Sequence, residues 1–399
     1  MRRKCEVRRL DAAFGWRGLT RHTVRNVGPS SRPRKSGVKP PHSTLSRWLL
    51  GISLALALAG AVASAEVRWR QILEQPERWY ASDEAHAVAE NVLLFQTPSG
   101  GWPKNVDMTN PPSAEFLANQ QPDERAATID NGATHTQLTF FARVISAKSD
   151  AHLLGAFNRG FDYLLAAQYP NGGWPQFYPL REGYYTHITF NDDAMASVLR
   201  LLKDASEQKP PYTFVDTDRR TRATEAVARG VDCILRCQIV VNGKKTAWCA
   251  QHDEQTLAPA PARKYEHVSL SGYESVGVVR FLMSLDHPSP AVVDAIEAAV
   301  QWFRDAKLTG ICIERKPAPE LHLRFDPIVV SDPSAPPLWA RFYEIGTNRP
   351  IFSGRDSIVR YSLAEVEAER RGGYRWYVDT PSELLNKDYP RWKKSFVRK

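Results

Sequence analysis

The sequence predicts a mainly α-helical protein: a toroid of three helical hairpins, (α/α)3, with a small irregular C-terminal part of short strands. Three observations lead there. Apolar residues recur at helical spacing along most of the chain. A unit of about 70 residues recurs three times, which a helix pair with its loops would fill. From Ile311 onward the texture changes to short alternating runs broken by proline.

The N-terminal residues stand apart from that pattern. Residues 1–48 carry 13 Lys and Arg against Glu6 and Asp11, whereas 49–65 carry no charge. Residues 45–65 read as a signal peptide. Arg47 precedes the apolar run Leu49 to Ala59, and Val62-Ala63-Ser64-Ala65 is a small-residue cleavage pattern, with cleavage after Ala65. The run is short for a membrane span. Residues 1–44 form a basic arm too long for an ordinary n-region. Either initiation lies near Ser43 to Arg47, or the arm follows from a mis-assigned start. A secreted or periplasmic protein is expected. From Glu66 the chain holds 40 basic and 42 acidic residues, so the overall charge of +9 belongs to the arm and implies no nucleic-acid partner. Residues 66–399 are read as one domain and as a monomer.

Helical stripes follow in order. Ser82-Asp83-Glu84 is an N-cap with acidic first-turn residues, before Ala85, Val88, Ala89, Val92 and Leu93. Further stripes run through Leu138 to Ile145, Leu154 to Leu165, Met195 to Leu202, Val227 to Leu235 and Val292 to Phe303. Beyond Ile311, His322 to Phe325 and Ala340 to Ile345 read as short strands, and a last helix is expected near Leu363 to Arg370. Gly354-Arg355-Asp356 is a turn.

The repeat shows when these stripes are aligned. Gln96, Gln168 and Gln238 stand 72 and 70 residues apart. Each is followed by a glycine-containing loop and then Trp102, Trp174 or Trp248. The stretch Gly172 to Pro179, with its echo at Gly100 to Asn105, is the clearest copy. Its Trp174 reads either as the buried anchor of a helix-connecting turn or as a candidate for stacking on a sugar. A helix pair cannot bury both faces alone, so such units stack or close into a ring with their loops at one end. Loops so gathered are the natural place for a site.

Three clusters there carry chemistry. Asp130-Asn131 and Asp192-Asp193 each precede a helix about halfway through their units. As isolated residues they are ordinary helix caps; brought to one rim, Asp130, Asn131, Asp192 and Asp193 offer the hard oxygen ligands that suit Ca²⁺. The third cluster is basic: Arg263, Lys264, Arg341, Arg349 and Arg355, beside Tyr265, Phe342 and Tyr343. Planar guanidinium forks there fit an anionic substrate. Of four cysteines after residue 65, Cys237 and Cys249 flank one loop, where a disulfide fits an oxidising compartment; the spacings do not suit zinc. Nucleophilic-serine, phosphate-loop and dinucleotide motifs are absent.

Taken together, GGWPKN at Gly100 to Asn105, DNGAT at Asp130 to Thr134, GGWPQFYP at Gly172 to Pro179 and ITFNDDAM at Ile188 to Met195 make the chain resemble the family 10 pectate lyases. WCAQHDEQTLAPAPARKYE at Trp248 to Glu266 and ARFYEIGTNRPIFSGRD at Ala340 to Asp356 extend the resemblance, which runs from about Glu84 to Tyr377. It implies Ca²⁺-dependent β-elimination of polygalacturonate. It also implies Arg355 as the base that removes the C5 proton, and Arg263 and Arg341, with Lys264 and Asp130, as substrate-binding residues. Asp130, Asn131 and one of Asp192 or Asp193 would form the Ca²⁺ end. Positive neighbours and Ca²⁺ are expected to favour a neutral Arg355. Two other readings use the same residues. One is an inverting glycoside hydrolase with Asp130 and Asp193 as its acid and base; the other is a non-catalytic sugar-binding envelope protein.

Overall fold

The computed structural model describes residues 67–119 and 125–397. The basic arm and the signal peptide lie outside the described residues. Three helical hairpins make the core. After α1 (Asp83–Leu93) they are α2 (His135–Ala147) with α3 (Ala151–Ala166), α4 (Ala194–Ser206) with α5 (Thr217–Cys237), and α6 (Glu274–Met283) with α7 (Pro290–Asp305). The first helices of the hairpins pack on one another in chain order, α2 on α4 and α4 on α6. The second helices do the same outside them, α1 on α3, α3 on α5 and α5 on α7. Local signals set the starts. Ser82 accepts from the Ala85 N–H, Asp150 from His152 and Leu153, Asp216 from Arg219, and Ser289 precedes Pro290. No helix among the described residues is long and apolar enough to cross a membrane.

Helix α6 has no counterpart among the stripes read from the sequence. Glu274, Ser275, Val276, Val278, Val279, Phe281 and Leu282 are all buried, so apolar residues cover it on most sides and no single face stands out.

One hydrogen-bond pattern holds each unit to the next. The Gln96 side-chain amide donates to the carbonyls of Gly100 (2.7 Å), in its own loop, and Ala156 (2.9 Å), in the neighbouring α3. Gln168 does the same to Gly172 and Ala226, and Gln238 to Thr246 and Ala295. Each loop's tryptophan is buried and donates its indole N–H to the preceding helix: Trp102 to Val92, Trp174 to Leu164, Trp248 to Ile234, at 2.7 to 2.9 Å. Gly172 sits at φ +92°, and a side chain there would collide with the Arg229 carbonyl of α5.

Trp174 therefore does not stack on sugar. It is fully buried, with its one polar atom spent on Leu164. Cys237 and Cys249 are buried thiols that are not joined.

In the C-terminal part, β1 (Ile311–Pro317) and β2 (Phe325–Ser331) form an antiparallel hairpin, from Ile311 opposite Ser331 to Pro317 opposite Phe325. His322 to Arg324 belong to its turn rather than to a strand. The strand expected over Ala340 to Ile345 is split. Trp339–Ala340 pairs with Tyr377–Val378 and Phe342–Tyr343 pairs with Leu270–Ser271, leaving Arg341 between two partners. The expected last helix is a single turn, Leu363–Glu365, followed by a short helix, Ala368–Gly372.

Replacing Trp174 by Ala removes a buried ring and strands the Leu164 carbonyl, and is expected to destabilise by about 3–5 kcal/mol in urea titrations.

Candidate active site

The segments that lead to the site hang from the same tryptophans. The Trp102 carbonyl accepts from the Thr128 N–H, that of Trp174 from Thr189, and that of Trp248 from Ser271. Asp130, Asn191-Asp192 and Glu274 follow each of these contacts within a few residues. The single turns Asp130–Gly132 and Asn191–Asp193 pack together. They share a conformation: Asn131 lies at φ 51°, ψ 36° and Asp192 at φ 47°, ψ 36°. Both are left-handed, which short polar residues tolerate best after glycine. The equivalence is thus Asp130 with Asn191, and Asn131 with Asp192, one residue away from a pairing of acid with acid.

Buried Asp130 accepts through Oδ2 from the Lys104 ammonium (2.5 Å) and the Gln176 amide (2.7 Å). Its Oδ1 is buried without a partner among the described residues. Asn131 is exposed, and its amide donates to Asn105 (3.0 Å). Buried Arg341 donates to Asn191 (3.2 Å), to Asp192 (3.0 Å) and, in a very short contact, to Glu274. Burial alone would lower the Arg341 pKa, but the Glu274 charge, followed by those of Tyr374 and Asp192, raises it well above its usual value. Burial pushes the Glu274 carboxyl up against the pull of Arg341.

An aromatic cage continues from Arg341. Its guanidinium lies over Tyr374 (4.7 Å) and Tyr273 (5.0 Å). The Tyr374 hydroxyl donates to Glu266 (2.7 Å), which also takes a fork from Arg263 at 2.8 and 2.5 Å. Arg263 lies over Tyr265 (5.1 Å), and Arg370 over the same ring (4.6 Å). Desolvation works against the charge on Arg263, yet the Glu266 hydrogen bond and charge raise its pKa. Beside the cage, the Ser353 hydroxyl is bound to His267 (3.0 Å), and the next turn carries Arg355. Across from it Tyr184 and Tyr185 stack at 4.1 Å, Phe177 meets Tyr185 at 5.4 Å, and Lys104 lies over Phe177 at 5.3 Å. The result is a row of cations, each beside a carboxylate, walled by tyrosines. Such a row recognises a polyanion with ring faces.

A family model described as pectic acid lyase matches residues 96–385. The chain belongs to the pectic acid lyase family, the family 10 polysaccharide lyases. Among solved structures, the family 10 polysaccharide lyase from Cellvibrio cellulosa is 33% identical over 79% of this chain and 96% of that one, with a TM-score of 0.68. An aspartate-to-alanine variant of the Cellvibrio enzyme in complex with trigalacturonic acid is 34% identical over 82% and 99%, also at 0.68. No curated protein matches the chain. The helical toroid is the fold of this polysaccharide lyase family.

For this pectic acid lyase, the structure brings Asp130, Asn131, Asp192, Arg263 and Arg341 into one row, with Arg355 at its edge. Three expectations need correction. Asp193 gives one oxygen to Arg200 and turns the other toward Gly277 of α6, where it is buried without a partner among the described residues, so the structure does not bring it into the row. Lys264 is exposed, and its side chain has no hydrogen bond or ion pair among the described residues. Arg355 is not held neutral: Arg370 lies close by, with its Nη2 3.4 Å from Glu369 Oε1, but both guanidinium groups turn to that carboxylate. The Arg355 guanidinium forks onto Glu369 at 3.0 and 3.0 Å, and that hydrogen bond raises its pKa.

Lys104, Gln176, Glu266, Glu274 and Tyr374 were not singled out from the sequence. Lys104 and Gln176 follow their tryptophans by two residues, so the repeat itself could have marked them. Glu266 follows Arg263 by three residues, a charge pairing the sequence does show, whereas Glu274 and Tyr374 carry no local signal.

Arg341→Ala leaves Glu274 and Asp192 without their cation and should cost about 3–5 kcal/mol of folding stability, read by chemical denaturation. A separate prediction concerns pH. His252 is fully buried: its Nε2 accepts from the Cys249 N–H and its Nδ1 is bound to the Leu257 carbonyl. Burial lowers its pKa from 6.5 to about 4. The unfolded chain therefore takes up a proton first. The contribution is complete above pH 6.5 and is lost as pH falls toward 4. The loss amounts to about 3 kcal/mol, seen as a slope of stability against pH that His252→Gln flattens.

Proposed function

We propose that this polysaccharide lyase is a Ca²⁺-dependent pectate lyase that cleaves polygalacturonate by β-elimination. Arg355 removes the C5 proton, and the product carries a 4,5-unsaturated sugar. The observation that carries the reading is the row itself: Asp130 and Asp192 at one end, Arg341 and Arg263 along it, Arg355 at its edge. The galacturonate bound by the Cellvibrio variant is the same class of ligand.

Asp130, Asp192 and the amide oxygen of Asn131 fit a hard cation. All are oxygen donors, and Asp130 keeps a buried oxygen without a partner among the described residues. Bound there, Ca²⁺ would act as a Lewis acid on the substrate carboxylate and spread the charge that develops when C5–H breaks. Two other trios bring acidic groups together, His86–Glu90–Asp150 and His187–Asp253–Glu254, the second directly after the turn that carries Tyr184 and Tyr185.

Arg263 and Arg341 present guanidinium edges to the other carboxylates of the polymer. Both are held rigid by Glu266 and Glu274, so little side-chain freedom is lost on binding. Arg355 has the basicity that a weak carbon acid demands, once it has left Glu369 and given up its proton. The leaving oxygen takes a proton from water. The hydrolase reading is not favoured, because one oxygen of Asp193 is tied to Arg200 and the other faces Gly277 of α6. The polymer is an extracellular material, which accords with a secreted or periplasmic monomer.

Polygalacturonate incubated with the protein is expected to give ultraviolet-absorbing unsaturated product with Ca²⁺ and none with EDTA. Reducing ends without unsaturation would overturn the reading. Arg355→Ala should lower kcat by about 10²–10⁴-fold with the fold intact.

A further inference from the structure

The turn carrying Arg355 is gripped twice by one short segment. Glu367 Oε1 accepts the Arg355 backbone N–H at 2.7 Å, and its carboxylate fills the space where a side chain on Gly354 would lie. Glu369, two residues on, takes the guanidinium: Oε2 from Nε and Oε1 from Nη2, both at 3.0 Å. The two grips differ in kind. The first holds backbone and is indifferent to where the side chain points. The second joins side chains that are 59% and 50% exposed, so water screens it and it opens at little cost.

The segment itself is fixed. Arg371 forks onto Asp326 of β2 at 2.7 and 2.5 Å and donates to the Val366 carbonyl at 2.6 Å. Arg370 is buried over Tyr265, and Trp376 donates to the Arg370 carbonyl. Arg370 Nη2 shares Glu369 Oε1 at 3.4 Å, and Tyr265 and Glu367 also face Arg355, while Asp356 is turned to Arg360 at 3.0 and 2.6 Å.

In the fork, the two guanidinium nitrogens nearest the carboxylate are both donors. A base cannot accept a proton through atoms already donating theirs. We propose that Glu369 is the resting counter-ion of Arg355, released as substrate carboxylates enter the row, and that Glu367 is the positioning residue that keeps the turn in place when the fork opens. This rests on reading Arg355 as the base. The fork keeps the guanidinium protonated and off the reaction path until a polyanion competes for it.

The test compares E369Q, E367A, E367Q and R355A on polygalacturonate with Ca²⁺, following kcat and KM across pH. E369Q removes the negative charge that holds the proton on Arg355. Its kcat should rise roughly two- to fivefold on the acid side of the optimum, and its rising limb should move to lower pH. E367A should lose about tenfold in kcat with KM nearly kept, and E367Q, which retains an acceptor, should recover most of it. An E369Q profile that superimposes on the wild type, or an E367A loss that appears in KM alone, overturns the proposal. If R355A is inactive in that case, the base assignment stands and only the gripping roles fail. Near-normal activity in R355A removes both.

Discussion

One tryptophan per unit does two jobs, and the rest of the structure follows from it. Through its indole N–H it fastens the loop to the helix before it. Through its carbonyl it fastens the segment that ends in a site residue. Trp102, Trp174 and Trp248 each do both. A buried indole has few ways to satisfy its donor, so its position is set to within a hydrogen bond. Threefold use of that constraint delivers Asp130, Asn191-Asp192 and Glu274 from distant parts of the chain. The glutamine of each unit adds the link to the next hairpin, so a shift in one unit is felt at its neighbour.

What is delivered is charge, and the fold has to compensate it. Arg341 is buried among Asn191, Asp192 and Glu274, and Arg263 is tied to Glu266. Burying an unpaired guanidinium would be prohibitive; buried with its carboxylates and over tyrosine rings, it is rigid and stays charged. Arg355 is the exception, since it is paired at the surface, where the pair is easily broken.

The units are alike in backbone but not in chemistry. Asp130 and Asn191 occupy matching places, as do Asn131 and Asp192, so acid and amide are swapped between two copies of one turn. The swap puts one carboxylate beside Lys104 and the other beside Arg341. Repetition supplies the frame, and departures from repetition supply the site.

The sequence by itself determined the helical stripes, the spacing of the glutamines and tryptophans, and the arginines that a polyanion requires. These are legible because periodicity and residue type are local. Trp174 shows the limit: its sequence allowed a face for sugar or a buried anchor, and packing made it the anchor. Between Asp192 and Asp193, adjacency left no difference visible; in space Asp192 turns to Arg341, and Asp193 to Arg200 and Gly277. Glu266 stands only three residues from Arg263, but Glu274 meets Arg341 across 67 residues and Tyr374 meets Glu266 across 108. The resting state of Arg355, charged and held by Glu369, likewise depends on two segments meeting. Charge state is set by neighbours in space, and only the tertiary structure decides who those neighbours are.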